Sequence, residues 1–404
     1  MTRSLSLGTS NEKLLLMTPG PTEVSGRVIR AMMRPAIHHN DPRFVKLFDE
    51  TEELLQKIFR TQNHVVLFPG SGRVGMEASI LSLVEPGDKV LNVISGVFSR
   101  WFRDIVKRHG GYSVELNFDW GKSVDTDKIA EALEADRDIR AVTVVHSETS
   151  TGALNPVQEI GRIVERHEAV LIADTISSMG GVDIPVDDWK IDACITAPQK
   201  CLGGLIGLSI VSVGEKAWER MAKRKTPADS YAFDLYKWKQ SWFPKEKGGL
   251  LIKGRRSFPV LPPTHVTYAL NEACKEALEE GLEKRFRRHT IASKATCEAL
   301  KAMGLEIYPD ESITAPGVTV LKTPQGVDDA NVRRTMQNDF QVMVAGGMEE
   351  LSGKTIRIGH MANTAEKSCI LRTIYALGHA LNLNGHRSDV DEGLNRVLEV
   401  FKEA

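Results

Sequence analysis

The chain has little of what marks a secreted, membrane-bound or nucleic-acid-binding protein. Its five cysteines (Cys194, Cys201, Cys274, Cys297 and Cys369) are scattered and odd in number. No C-x-x-C pair occurs among them, which argues against a disulfide framework or a zinc site and for a reducing compartment. Basic and acidic side chains nearly cancel, 52 against 53, so nothing draws the chain to nucleic acid or an anionic membrane. Long apolar runs are also missing. The run Leu14–Met17 is too short for a secretory signal. The most apolar later window, around 203–213, is broken by glycine and too short for a bilayer. A cytoplasmic protein is expected. HExxH, GxSxG and a Walker lysine loop are absent, as is any internal repeat. With 404 residues, 42% of them hydrophobic, the chain has the length of two or three domains and ample core.

What is present centres on residues 169–204. The run AVLIADT ends on Asp174, and DACITA leads into Pro198, Gln199 and Lys200 before Gly203 and Gly204. Short β-branched, apolar runs between polar or glycine segments read as core strands of a parallel sheet. Ligands of open α/β sheets gather beyond the carboxyl ends of such strands, where Asp174 and Lys200 both fall. Singly, a lysine after a strand is usually solvated and an aspartate there is usually a turn or cap residue. Together they suit pyridoxal phosphate, with the lysine as Schiff base and the acid on the pyridinium nitrogen.

Along the chain, a polar arm precedes the Pro-Gly-Pro loop of MTPGPT, and helices are expected over 24–33 and about 41–59. The second carries Phe44, Leu47, Phe48, Leu54, Leu55 and Ile58 on one face. From Val65 strands alternate with helices: VVLF, KVLNVI, AVTVVHS, AVLIADT, DACITA and GLSIVSV, with helical stretches between the earlier of them and another over 215–223. That alternation predicts βαβ units and a mostly parallel sheet. Residues 225–260 lack periodicity and read as a functional flap. A long helix is expected from Thr264 to His289 and another to Met303, followed by a smaller α+β unit. The expected division is an arm over 1–20, a large α/β domain over 21–263, and a connecting helix plus small domain over 264–404.

Further candidates lie at the strand ends. Gly70-Ser71-Gly72 opens a helix, where backbone N–H groups and the Ser71 hydroxyl can hold a phosphate and Arg73 can add charge. Phe98 stands where a ring could stack on a flat cofactor, although a core phenylalanine is the commoner role. Thr149, in HSETSTG, can hydrogen-bond a phenolic oxygen. Arg357, in TIRIGH, has a fork suited to a substrate carboxylate, with a surface ion pair as the alternative. His39 and the aromatic group Tyr231, Tyr236, Trp238, Trp242 and Phe243 are candidates to close the site. Cys201 reads as a packed small residue.

MTPGPT, PGSG followed by GMEA, SGVF, HSETSTG, ADTISSMGG, TAPQKCLGG and RIGHM occur in that order over nearly the whole chain. Together they resemble the class V, fold-type-I aminotransferases, especially the alanine/serine–glyoxylate branch. The resemblance implies a pyridoxal 5′-phosphate enzyme of α/β fold with a mostly parallel large domain and a smaller C-terminal α+β domain. It implies Lys200 as the Schiff-base lysine, Asp174 on the ring nitrogen, and Ser71, Gly72 and Gln199 at the phosphate. Phe98 would stack on the ring, Thr149 would supply the hydroxyl, and Arg357 would bind the substrate carboxylate. A homodimer with its site at the interface is implied as well. The loop that reaches the neighbouring phosphate reads VLPPTH, with Leu261 where many relatives have threonine and Thr264 as its substitute.

The implied reaction is ping-pong transfer of an amino group from a small amino acid, of alanine or serine type, to glyoxylate or pyruvate. The tail is also similar to pyridoxamine–pyruvate aminotransferase. Members acting on free pyridoxamine carry a glutamate in the phosphate loop and an extra arginine upstream of RIGH; Ser71 and Met348 stand there in this chain. That favours a bound, recycling cofactor. Ureidoglycine–glyoxylate transfer and a cysteine desulfurase-type lyase remain as alternatives.

Overall fold

The structure is a computed structural model that describes residues 14–245, 248–251 and 256–404. The polar arm expected ahead of Leu14 lies outside the described residues. The first half runs β1 (Leu15–Leu16), α1 (Gly26–Met32), α2 (Pro42–Phe59), β2 (His64–Gly70), α3 (Gly72–Leu83), β3 (Lys89–Ile94), α4 (Val97–Arg108) and β4 (Tyr112–Asn117). It continues through α5 (Thr126–Ala135), β5 (Ile139–Val145), β6 (Ser147–Glu148), β7 (Ala153–Leu154) and α6 (Val157–Val164). Next come β8 (Val170–Asp174), β9 (Ala193–Thr196), β10 (Gly207–Val213), α7 (Glu215–Ala222) and α8 (Leu235–Ser241). The C-terminal part holds α9 (Thr264–Glu280), α10 (Leu282–Ala302), β11 (Val318–Lys322), α11 (Asp329–Phe340), β12 (Val342–Met343) and β13 (Ala345–Gly346). It ends with β14 (Thr355–Gly359), α12 (Lys367–Leu383) and α13 (Val390–Glu403).

Seven strands form the central sheet in the order β2-β10-β9-β8-β5-β3-β4. All neighbours are parallel except β10, which runs antiparallel to both β2 and β9. Every residue of β8 and β9 is buried, as their unbroken apolar runs require when helices cover the sheet. Because β4 follows β3 but β5 lies on the other side of β3, the chain reverses direction across the sheet there. The carboxyl ends beside such a reversal form a natural crevice. A second sheet, β11-β14-β13, is antiparallel and belongs to a separate apolar cluster with α10, α11, α12 and α13.

Local chemistry explains the elements that hold the site. Asp41 caps α2 through the Arg43 N–H, and Pro42 occupies its first position. Phe44, Phe48, Leu55 and Ile58 are buried, each worth roughly 1.5–3 kcal/mol relative to exposure. Gly281, at φ +85°, ends α9 and begins α10. The long helix expected to His289 is therefore broken eight residues earlier, because an L side chain rarely takes that backbone.

The aromatic segment also departs from expectation. It contains α8, and Trp238, Trp242 and Phe243 are buried with Phe48 in the main core rather than poised over a site. Trp242 stacks on Phe258 at 3.8 Å between ring centroids, and only Tyr231 of the group is strongly exposed. In the small unit, the run Leu305–Pro309 (LEIYP), which reads as a strand, forms only a single bridge, Ile307 to Leu321. The sequence reading did not single out β4, α5 or α13. Among the described residues no helix is long and apolar enough to cross a membrane, and no cluster of His, Cys, Asp or Glu is placed to hold a metal.

Candidate active site

Five strand ends converge. β8 stops at Asp174, directly opposite Val145 at the end of β5 and Ile195 near the end of β9. Beyond β5 the chain supplies Ser147 and Thr149; beyond β9 it supplies Gln199 and Lys200; beyond β3, the first turn of α4 supplies Phe98. Beyond β2, Ser71 occupies the N-cap position of α3. These residues, with Gly72 and Arg73, line one cavity of about 220 Å³. A groove of about 780 Å³ lies at the opposite, amino ends of the parallel strands. It is larger, but its cations are already engaged: Lys216 donates to the His167 and Ala169 carbonyls, and Arg220 to the Leu83 carbonyl and Asp88. The smaller cavity is the one where the candidate residues meet.

Lys200 reaches that cavity through a buried stem, and its amine donates to the Pro19 carbonyl. Gly20 lies against it so closely that a Cβ there would come within 2.7 Å of Nζ; its φ of +92° also favours glycine. Burial, and then the charge of Arg357, pull the amine down to about 8. Asp174 Oδ1 accepts the Ile176 N–H at 2.7 Å. Burial lifts its carboxyl to about 7; Glu148 pushes the same way, while Lys200 opposes. A buried amine of lowered and a buried carboxyl of raised proton affinity thus share the cavity, a pattern that clusters at functional sites.

Several polar groups in the wall await a ligand. Ser147 Oγ and Gln199 Oε1 are buried without a hydrogen-bond partner among the described residues. Such atoms cost about 1–3 kcal/mol each when left unmet. Ser71 makes no side-chain cap to α3, which leaves its hydroxyl and the positive helix end toward the cavity. Gly72 packs on Ile176 where a side chain has no room. Arg73 sits 3.7 Å over the Trp101 ring, and Phe98 meets Trp101 edge-on at 4.6 Å. An anion seat, a flat apolar wall, a buried carboxyl and a buried amine fit the phosphate, ring, ring nitrogen and aldehyde of pyridoxal 5′-phosphate.

Arg357 does not itself line the cavity; it sits in β14, across from Val320 and Ala345, and reaches the wall through Thr149. Its Nε donates to the Gly346 carbonyl at 2.7 Å and an Nη to the Thr149 carbonyl at 3.2 Å. Those two anchors fix the guanidinium and leave donors for a carboxylate. Burial brings it down to about 10, still charged at any physiological pH. His39 and Thr264 do not line this cavity. His39 lies 4.1 Å from the His38 ring, and Thr264 opens α9 after Pro263. Cys201 points away into the core, its thiol on the Ser177 carbonyl and pushed up to about 11 by burial.

Sequence reasoning missed Gly20, Trp101, Ser147 and Glu148. The acid set among hydroxyls in HSETSTG was a usable signal for Glu148; Trp101, one turn after Phe98, was another.

The pattern of the family described as Aminotransferase class-V matches residues 17–252. An uncharacterized aminotransferase of Methanocaldococcus jannaschii is 41% identical, covering 91% of this chain and 93% of the relative. The (S)-ureidoglycine–glyoxylate transaminase of Bacillus subtilis is 33% identical over 96% of this chain and 95% of its own. The crystal structure of pyridoxamine–pyruvate aminotransferase from Mesorhizobium loti superposes with a TM-score of 0.91 at 31% identity, covering 98% of this chain and 99% of that one. With more than half of its length matched by the family pattern and near-complete coverage of such relatives, the chain belongs to the class V aminotransferases, pyridoxal 5′-phosphate enzymes of fold type I.

Proposed function

We propose that this enzyme moves the amino group of a small amino acid, of alanine or serine type, to glyoxylate or pyruvate in two half-reactions. The observation that carries this reading is one cavity shared by Lys200 and Asp174, with Arg357 anchored on the carbonyl of Thr149 in its wall. The names of the similar transaminases include both oxo acids. When bound, pyridoxal 5′-phosphate supplies an electron sink that eases loss of the amino acid's Cα proton.

The chain's own residues then have distinct tasks. Lys200 holds the cofactor through Nζ and, once released, takes and returns a proton at that atom, which its lowered proton affinity allows near neutral pH. Asp174 faces the ring nitrogen, whose proton offsets the burial cost of the carboxylate. Ser71, Gly72 and Gln199, with Arg73, hold the phosphate; Phe98 covers the ring and Thr149 meets its oxygen. Arg357 fixes the substrate carboxylate and so orients the Cα–H bond.

The working unit in this proposal is a cytoplasmic homodimer. Ile206 lines the cavity yet is 57% exposed, so a second subunit packed there would shield it. Thr264 and His39, away from their own cavity, would then serve the partner's.

A second reading, transfer from free pyridoxamine to pyruvate, is favoured by the 0.91 superposition. A lyase acting through a cysteine has no such support: Cys194, Cys201 and Cys274 are buried, and Cys297 and Cys369 lie on helices. A screen of amino donors against glyoxylate and pyruvate, with the cofactor's absorbance followed through gel filtration, tests the proposal. Amino transfer by a protein that keeps its colour is expected. Consumption of pyridoxamine by a colourless protein would replace the first reading with the second.

A further inference from the structure

The first turn of α4 is capped from a distance. Its N-cap residue, Gly96, has no side chain to offer, and a Cβ there would collide with the Glu148 side chain. Glu148, fifty residues downstream of Phe98 and wholly buried, does the capping instead. Its Oε1 accepts the N–H groups of Phe98 and Ser150 at 3.3 Å each, and also the Ser150 hydroxyl. Its Oε2 accepts the Ser99 N–H at 3.1 Å and lies 3.3 Å from the Ser99 hydroxyl. Ser150 closes the frame by accepting the Val97 N–H at 3.0 Å.

Three of the neighbours are backbone N–H donors, shared between both carboxylate oxygens; the NH2 end of an amide would face at least one of them. Burial raises the carboxyl's proton affinity, while these hydrogen bonds and the positive helix end lower it. The residues that this carboxylate grips bracket Phe98, whose ring is part of the cavity wall. A helix whose first turn shifted by a few tenths of an ångström would move that ring with it.

We propose that Glu148 is a positioning residue that sets the plane of Phe98 against the cofactor through the first turn of α4. The inference rests on the reading that Phe98 covers the cofactor ring.

The test uses the loaded enzyme and three variants: Glu148→Gln, Phe98→Leu and the double. Two readouts apart from turnover are followed, the visible circular dichroism of the bound cofactor per unit absorbance and the rate of cofactor loss on dilution. Each single variant is expected to change the dichroic band and speed cofactor loss about tenfold, the scale of one aromatic contact. The double variant is expected to be no worse than either single, because both act through one ring. Should Glu148→Gln leave both readouts unchanged, or multiply in full with Phe98→Leu, the proposal is wrong while the Phe98 reading stands. An inert Phe98→Leu overturns both. If Glu148→Gln does not fold, Ser150→Ala removes one donor to the same carboxylate and should speed loss about threefold; no change there rejects the proposal.

Discussion

Folded Asp174 titrates at about 7, against 3.8 for an ordinary aspartate. Between those values the folded state holds more protons than the unfolded one. Stability from this carboxyl therefore falls as pH rises from about 4 to 7 and stays low above. Lys200 titrates at about 8 against 10.5, so in that window the unfolded state holds more protons and stability recovers as pH rises. Both shifts come from the protein's own groups and so apply to the chain stripped of cofactor. Asp174→Asn should raise the melting temperature of stripped protein by a few degrees at about pH 8 and not at about pH 4. Equal effects at both pH values would contradict the burial argument. Lys200→Ala should abolish turnover and the visible absorbance of bound cofactor, and a yellow, active variant would remove the lysine from its role. Arg357→Ala should raise KM for carboxylate substrates at least tenfold, the scale of a lost charged hydrogen bond, with a smaller effect on kcat. The residue types were legible at this scale because each sits where a strand run ends. Arg357's anchoring on the Gly346 and Thr149 carbonyls was not, since backbone acceptors leave no mark in a sequence.

At the scale of elements, Gly281 shows what periodicity hides. The apolar pattern runs through it, yet the backbone there takes φ +85° and ψ 129°. A Cβ at Gly281 would meet nothing within 4 Å, so Gly281→Ala tests backbone strain alone. It should destabilise the protein by about 1–3 kcal/mol in denaturant titration. A neutral result would mean that the α9–α10 junction relaxes into a continuous helix. The βαβ strands were legible because buried parallel strands read as unbroken apolar runs. The edge strand β4 was not, being half exposed and carrying Glu115 and Asn117. The short helix α8 escaped notice because its buried Trp238 makes its contacts with Phe48 and Phe258, far away in sequence. For α13 the signal was there: Asp389 as cap, then Val390, Val397 and Val400 buried along one stripe.

Across the whole molecule the cavity is assembled from residues far apart in the chain, and the described amino end ties Lys200 to the C-terminal apolar cluster. Leu15 and Met17 belong to the C-terminal apolar cluster. The Met17 N–H donates to the Met343 carbonyl at 2.8 Å, and its own carbonyl accepts the Gly359 N–H at 2.7 Å. Two residues later, the Pro19 carbonyl receives the Lys200 amine. Met17→Ala, a fully buried truncation, should cost about 2–5 kcal/mol. It should also slow turnover although Met17 touches no part of the cavity. Stability lost with kcat untouched would show that the segment serves packing alone. The order of motifs made this ensemble legible in outline, but not the pairing of β1 with β12, which depends on two residues against two. The reactive nitrogen therefore leans on a piece of main chain that is moored to a different sheet. Any tilt of that sheet would reach the amine as a changed hydrogen-bond partner, a mechanical linkage between the C-terminal third of the sequence and the atom proposed to make and break the covalent attachment.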